Sequence, residues 1–133
     1  MFPHLLLAES DPSLRSILAD YFASLGFQVE TANDGLDCLD RLRSSQPEVI
    51  VIDADLAWGG GDGVLSLIHE RQSQVPQAVI AIGTESPERL ADRLGLSPQV
   101  CLSKPVHPSS LVIRIATQLF TTNLQTANMP AFR

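Results

Sequence analysis

Short apolar runs alternate along the chain with stretches in which apolar residues recur every three or four positions. Leu5-Leu6-Leu7-Ala8, Val49-Ile50-Val51-Ile52 and Val79-Ile80-Ala81-Ile82 contain no polar residue, which predicts strands buried on both faces. Val100-Cys101-Leu102 predicts a last short strand. Phe27-Gln28-Val29-Glu30-Thr31 instead alternates with period two, as a half-covered edge strand does.

The segments between them read as helices. Leu14, Ile17, Leu18, Tyr21, Phe22 and Leu25 define one broad apolar face. Asp11 is placed to cap that helix, Pro12 to open it and Gly26 to stop it. After the turn Asn33-Asp34-Gly35, a second face carries Leu36, Leu39 and Leu42 and ends before Pro47. Asp62 is expected to cap a third helix with Val64, Leu65 and Ile68 inward. Ser86-Pro87-Glu88 starts a fourth, with Leu90, Ala91 and Leu94, and Gly95 stops it. The last helix begins near Pro108 and carries Leu111, Val112, Ile115 and Leu119. From about Thr121 the pattern loses its period, so residues 1–121 are expected to form one domain and residues 122–133 a tail or linker stub.

Strands alternating with helices imply right-handed crossovers, hence a parallel α/β sheet with helices on both faces. The edge-like second strand favours the doubly wound, flavodoxin-like order 2-1-3-4-5. In that order Glu9 and Asp53 leave adjacent strands at the carboxyl end of the sheet, where such folds bind ligands. Gly83-Thr84 and Lys104 leave neighbouring strands at the same end. An acidic pocket flanked by a hydroxyl and a lysine suits a divalent cation together with a phosphoryl group.

Composition narrows the class. At 133 residues, 44% hydrophobic and 18% charged, the chain suits one soluble domain with a real core. No apolar run approaches the ~20 residues of a membrane span. The amino terminus lacks the basic residues and the length of a signal peptide, so a cytoplasmic protein is expected. Cys38 and Cys101 lie within apolar segments without metal-ligand spacing and read as buried free thiols. A net charge of −6 disfavours nucleic acid as a partner. The chain has a single lysine, Lys104, and it sits at a strand end before Pro105.

These features together resemble a two-component response-regulator receiver domain. The acidic cluster after the first strand, the Asn33-Asp34-Gly35 turn, Asp53, the glycine-rich entry to the third helix and Lys104-Pro105 occur in the family's order. The resemblance spans Leu5 to about Phe120. It implies phosphorelay signalling, with Asp53 accepting a phosphoryl group from a histidine kinase, a phosphotransfer protein or a small phosphodonor. It implies Mg²⁺ held by Glu9, Asp53 and the backbone carbonyl of Asp55, with Ser10 at the place of the usual second acid. It further implies Lys104 on the phosphoryl oxygens and a cis peptide before Pro105. The domain would then be a phosphoacceptor with at most self-phosphorylation and self-dephosphorylation activity, not a conventional enzyme. Its output would pass to another protein or to an effector domain outside these residues, with a homodimer as one possible form.

The chain departs from the family pattern at four places. Ser10 replaces a carboxylate and is a weaker Mg²⁺ ligand. The loop after Asp53 runs Leu56-Ala57-Trp58 into three glycines, where the family has a shorter loop with a Met-Pro or similar pair. The strand-four hydroxyl position falls on Gly83, with Thr84 able to replace it only through a one-residue bulge. The strand-five switch aromatic falls on Cys101. The Ser10, Gly83 and Cys101 departures suit an alternative, a receiver-like interaction module that works without phosphorylation. Asp53-Ala54-Asp55 also resembles the nucleophile motif of haloacid-dehalogenase-type phosphatases, although that motif usually lies on a first strand. A Toprim-type nucleotidyl site is disfavoured by the acidic balance.

Overall fold

The computed structural model describes residues 3–70 and 75–128, with side chains to residue 121. Five parallel strands are ordered β2-β1-β3-β4-β5, as the hydrophobic pattern predicts. They are β1 (His4–Ala8), β2 (Gln28–Ala32), β3 (Val49–Asp53), β4 (Ala78–Gly83) and β5 (Cys101–Ser103). Five helices connect and follow them: α1 (Pro12–Ser24), α2 (Gly35–Ser45), α3 (Gly60–Glu70), α4 (Pro87–Leu94) and α5 (Pro108–Asn128).

Strand alternation divides the core into two layers. Leu5, Leu7, Val49, Val51, Ile80 and Ile82 face α1 and α5, meeting Leu18, Phe22, Leu111 and Ile115. Leu6, Ala8, Ile50, Ile52 and Ala81 face α2, α3 and α4, meeting Cys38, Val64, Leu65, Ile68 and Leu90. A fully buried Leu or Ile contributes about 1.5–3 kcal/mol relative to exposure. A one-residue register slip would exchange the two faces of every strand, so the pairing Leu7↔Val51 and Ile52↔Ala81 is strongly selected.

Local chemistry sets the helix ends. Asp11 accepts from Ser13 N at 2.9 Å, and Pro12 opens α1 as expected. Ser86 caps α4 and Gly95 closes it in the left-handed conformation. Several expectations need correction. Ile17 and Leu36 fall on predicted apolar faces but are 60% and 63% exposed, while Cys38 takes the inward position on α2. Helical spacing identifies a stripe but not how wide a part of it the sheet covers. Asp62 does not cap α3: the helix starts two residues earlier, at Gly60, with Gly63 N donating to Gly59 O at 3.2 Å, so Asp62 lies inside the first turn. Val100 belongs to a 3₁₀ turn, Pro98–Val100, and β5 begins one residue later. Phe27 precedes β2, and α5 continues to Asn128, into the segment expected as a tail. Residues 129–133 of that segment lie outside those described.

Candidate functional site

The carboxyl ends of β1, β3 and β5 converge on Asp53. β3 carries Asp53 to its last position with no exposed surface, and Glu9, one residue beyond β1, is equally buried. Lys104 follows β5, its backbone N–H bonded to Gly83 O at 2.7 Å and its preceding-proline peptide, Lys104–Pro105, cis as the resemblance implies. Its Nζ lies 3.1 Å from Glu9 Oε2 and 3.4 Å from Asp53 Oδ2.

The two carboxylates are held differently. Asp53 Oδ2 accepts the Ser10 hydroxyl at 2.6 Å and the Ser10 N–H at 3.3 Å, while Oδ1 accepts the Asp55 N–H at 3.0 Å. Burial alone would raise the Asp53 pKa, but the donors of Ser10 and Asp55 and the charge of Lys104 outweigh it and hold the carboxylate below its ordinary range. Glu9 shows the opposite balance. Burial raises its pKa, and the Asp11 N–H at 2.8 Å and Lys104 offset that only in part. Lys104 loses by burial but gains more from the two acids, so its ammonium form is favoured. The arrangement is an ionised nucleophile-type carboxylate, a more basic neighbour and a fixed cation within one pocket.

Among the described residues no three acidic, histidine or cysteine side chains gather as a metal site. The pocket still suits a small hard cation. Glu9 Oε1 is buried and has no hydrogen-bond partner among the described residues, so a cation beside Asp53 would satisfy an otherwise costly group. Asp11 is committed to capping α1. The Asp55 side chain points to a guanidinium, leaving its backbone carbonyl as the group the family would use. Ser10 lies beside both carboxylates, 3.5 Å from Glu9 Oε2, and presently donates to Asp53.

The loop after Asp53 is shaped by close backbone approach. Gly35 N donates to Ala57 O at 2.8 Å, and a Cβ at Gly35 would overlap the Trp58 carbonyl oxygen. This is why the Asn33-Asp34-Gly35 turn needs its glycine there. Trp58 has φ 57° and a side chain standing out in solvent, and Gly59 and Gly60 continue the left-handed run.

The remaining expected positions are not drawn into the pocket. β4 and β5 pair in register through Gly83↔Ser103, so no bulge carries Thr84 to the place of Gly83, and Thr84 is exposed. A Cβ at Gly83 would meet Leu90 Cδ2 at 2.7 Å and Ala54 Cβ at 3.3 Å. Leu90 therefore occupies the room a side chain would need there. Cys101 is buried in the same core layer, its thiol directed to Ser97 O at 3.5 Å. Sequence reasoning passed over Arg93, whose guanidinium reaches Ala54 O at 2.7 Å and Asp55 Oδ1 at 3.0 Å and also bonds Glu85. The signal was a cation on the fourth helix with two acids on loops at the same end of the sheet.

Comparison with known proteins places the chain in a family. Residues 5–116 match the family model of the response regulator receiver domain. The chain is 33% identical over 102 residues to the Regulator of RpoS of Escherichia coli K12, covering 77% of this chain and 30% of that protein. It is 30% identical over 120 residues to the transcriptional regulatory protein BaeR of Escherichia coli O6:H1, covering 88% of this chain and 48% of that one. It therefore spans less than half of either relative. In structure it resembles the Francisella response regulator 1452 receiver domain, with TM-score 0.79, 25% identity and coverage of 90% and 98% of the two chains. The chemotaxis response regulator CheY4 of Vibrio cholerae shares the fold at TM-score 0.76 and 22% identity, covering 90% of this chain and all of that one. With the family model running from β1 into α5 and the buried acids at the switch point of the sheet, this chain belongs to the receiver domains of two-component response regulators.

Proposed function

We propose that Asp53 accepts a phosphoryl group in a phosphorelay. The observation that carries this is one carboxylate, buried at the end of β3, kept ionised and contacted by the only lysine of the chain. A carboxylate oxygen of Asp53 attacks phosphorus while the bond from phosphorus to the donor's imidazole nitrogen breaks and that nitrogen keeps the electron pair. The product is an acyl phosphate on Asp53, removed later by water. Lys104 is positioned to move from Glu9 and Asp53 onto the incoming phosphoryl oxygens, as a compact charge on a flexible stem can. Glu9, Asp53 and the Asp55 carbonyl would hold Mg²⁺, which when bound neutralises charge on the transferring group. Oδ1 of Asp53, with the Asp55 N–H as its donor, is less occupied than Oδ2 and is the better placed to attack.

The donor fits a histidine kinase or a histidine phosphotransfer protein in the cytoplasm, and the recipient of the signal a separate output protein or domain. Incubation with acetyl phosphate and Mg²⁺ followed by intact-mass measurement tests the chemistry. One phosphoryl group should add to the wild type and none to Asp53→Asn, with unchanged circular dichroism. Labelling retained in Asp53→Asn would move the acceptor to another residue. A second reading, an interaction module that works unphosphorylated, draws on the Ser10 hydroxyl bonded to Asp53 and on Leu90 filling the space beside Gly83. A wild type that gains no mass under these conditions favours it.

A further inference from the structure

Helix α4 is attached to the sheet in two ways. Leu90, Ala91 and Leu94 are buried in the core layer beneath it. On its flank, Arg93 reaches across to the peptide that follows Asp53. Nη2 donates to Ala54 O at 2.7 Å and to Asp55 Oδ1 at 3.0 Å, and Nη1 bonds Glu85 on the loop that leads into α4. The Asp55 N–H in turn donates to Asp53 Oδ1 at 3.0 Å. Two contacts thus separate α4 from the oxygen placed to attack phosphorus.

Apart from Arg93 and the Asp53 carboxylate, the bonds on this stretch come from backbone. Ala54 N donates to Ile82 O at 2.8 Å, and Ala54 O also accepts from Gly61 N at 3.0 Å. A planar guanidinium can serve a carbonyl and two carboxylates at once, which a lysine ammonium does poorly. At the neighbouring place on β4, Gly83 offers no hydroxyl and Leu90 fills the space.

We infer that Arg93 is a positioning residue for Asp53, a charged strap through which α4 and the phosphoacceptor peptide sense one another. The part of this inference that concerns signalling rests on the phosphoacceptor reading; the strap itself does not. When the Ala54–Asp55 peptide adjusts to a group on Asp53, the acceptors of Arg93 move and α4 follows. By reciprocity, releasing α4 loosens the Asp55 N–H that orients Asp53.

Wild type, Arg93→Gln and Arg93→Lys separate these ideas by backbone-amide NMR. Without any ligand, Arg93→Gln should speed exchange of the Asp55 amide about tenfold, the loss expected for one hydrogen bond. Amides of the core strands should stay as protected as in wild type, and Arg93→Lys should recover part of the loss. With Mg²⁺ and beryllofluoride, wild type should shift at both Ala54–Gly61 and Leu90–Leu94. Arg93→Gln should keep the first set of shifts and lose at least half of the second. Unchanged Asp55 exchange in Arg93→Gln, or full shifts across Leu90–Leu94 in that variant, overturns the strap. A wild type that ignores the mimic removes the phosphoacceptor reading, and the exchange measurement then decides the strap by itself.

Discussion

At the ends of β1 and β3, polar groups are drawn inward. Glu9 and Asp53 have no exposed surface, and the donors of Ser10, Asp11, Asp55 and Lys104 surround them. Beside the last residue of β4 the packing is apolar, and it stays so back to the first residue of β5. Gly83 has Leu90 against it, Cys101 is buried beside that helix, and Thr84 faces solvent. The first region is the one proposed to capture the phosphoryl group. The second lacks the hydroxyl and the aromatic ring that the family pattern uses to report capture. The proposed capture site and the positions that would report capture therefore lie in different packing environments at one end of the sheet.

The largest effect that sharpens this comparison is expected on the capture side. Lys104→Met removes the one cation that, among the described residues, pairs with the Glu9 and Asp53 carboxylates, while keeping the stem's bulk. Phosphoryl uptake from acetyl phosphate should slow about 100-fold, the usual cost of one preorganised charge-stabilising donor. An uptake rate within about threefold of wild type would assign the transition-state charge to other groups.

The next tests the reporting side. Gly83→Thr restores the family hydroxyl but forces its Cβ onto Leu90. Overpacking of this kind costs about 1–3 kcal/mol, read from the urea midpoint. Leu90→Ala carries its own cavity cost, so the informative quantity is the double-mutant coupling. Gly83→Thr should be less destabilising in the Leu90→Ala background than alone. Additive changes would show that Leu90 moves aside freely and that the apolar filling imposes nothing.

Ser10→Asp places a third carboxylate beside Glu9 and Asp53 and should tighten Mg²⁺ binding about tenfold, followed by Trp58 fluorescence or calorimetry. No gain in affinity would mean that Glu9, Asp53 and the Asp55 carbonyl already satisfy the ion.

The smallest effect is a pH dependence. Burial raises the pKa of Glu9 in the folded chain, so its charged form weakens folding at neutral pH. Glu9→Gln should therefore gain stability relative to wild type at pH 7. That advantage should shrink as pH falls, because folded wild type takes up its proton before the unfolded chain does. Asp53 has the opposite sign. Its lowered pKa contributes stability that is lost only as pH falls through the acid range below its ordinary value. A Glu9→Gln advantage that is constant from pH 7 to pH 4 would place its cause elsewhere than in ionisation.

The sequence by itself determined the strand order, the helices and the convergence of Glu9, Asp53 and Lys104. Uniformly apolar runs alternating with helical segments suit the middle of a parallel sheet, and residues that end neighbouring strands of such a sheet emerge at the same end. It also determined the caps at Asp11, Ser86 and Gly95, which are local chemistry between near neighbours. Only the tertiary structure decided which part of each apolar stripe is covered, leaving Ile17 and Leu36 in solvent. It alone showed Ser10 bonded to Asp53, Leu90 filling the room beside Gly83 and Arg93 gripping the Ala54–Asp55 peptide. Each of these joins residues on different elements, at separations where periodicity and capping carry no information. Whether such a pair meets depends on side-chain length, rotamer and the angle at which a helix lies on the sheet, and those are settled by packing the whole core.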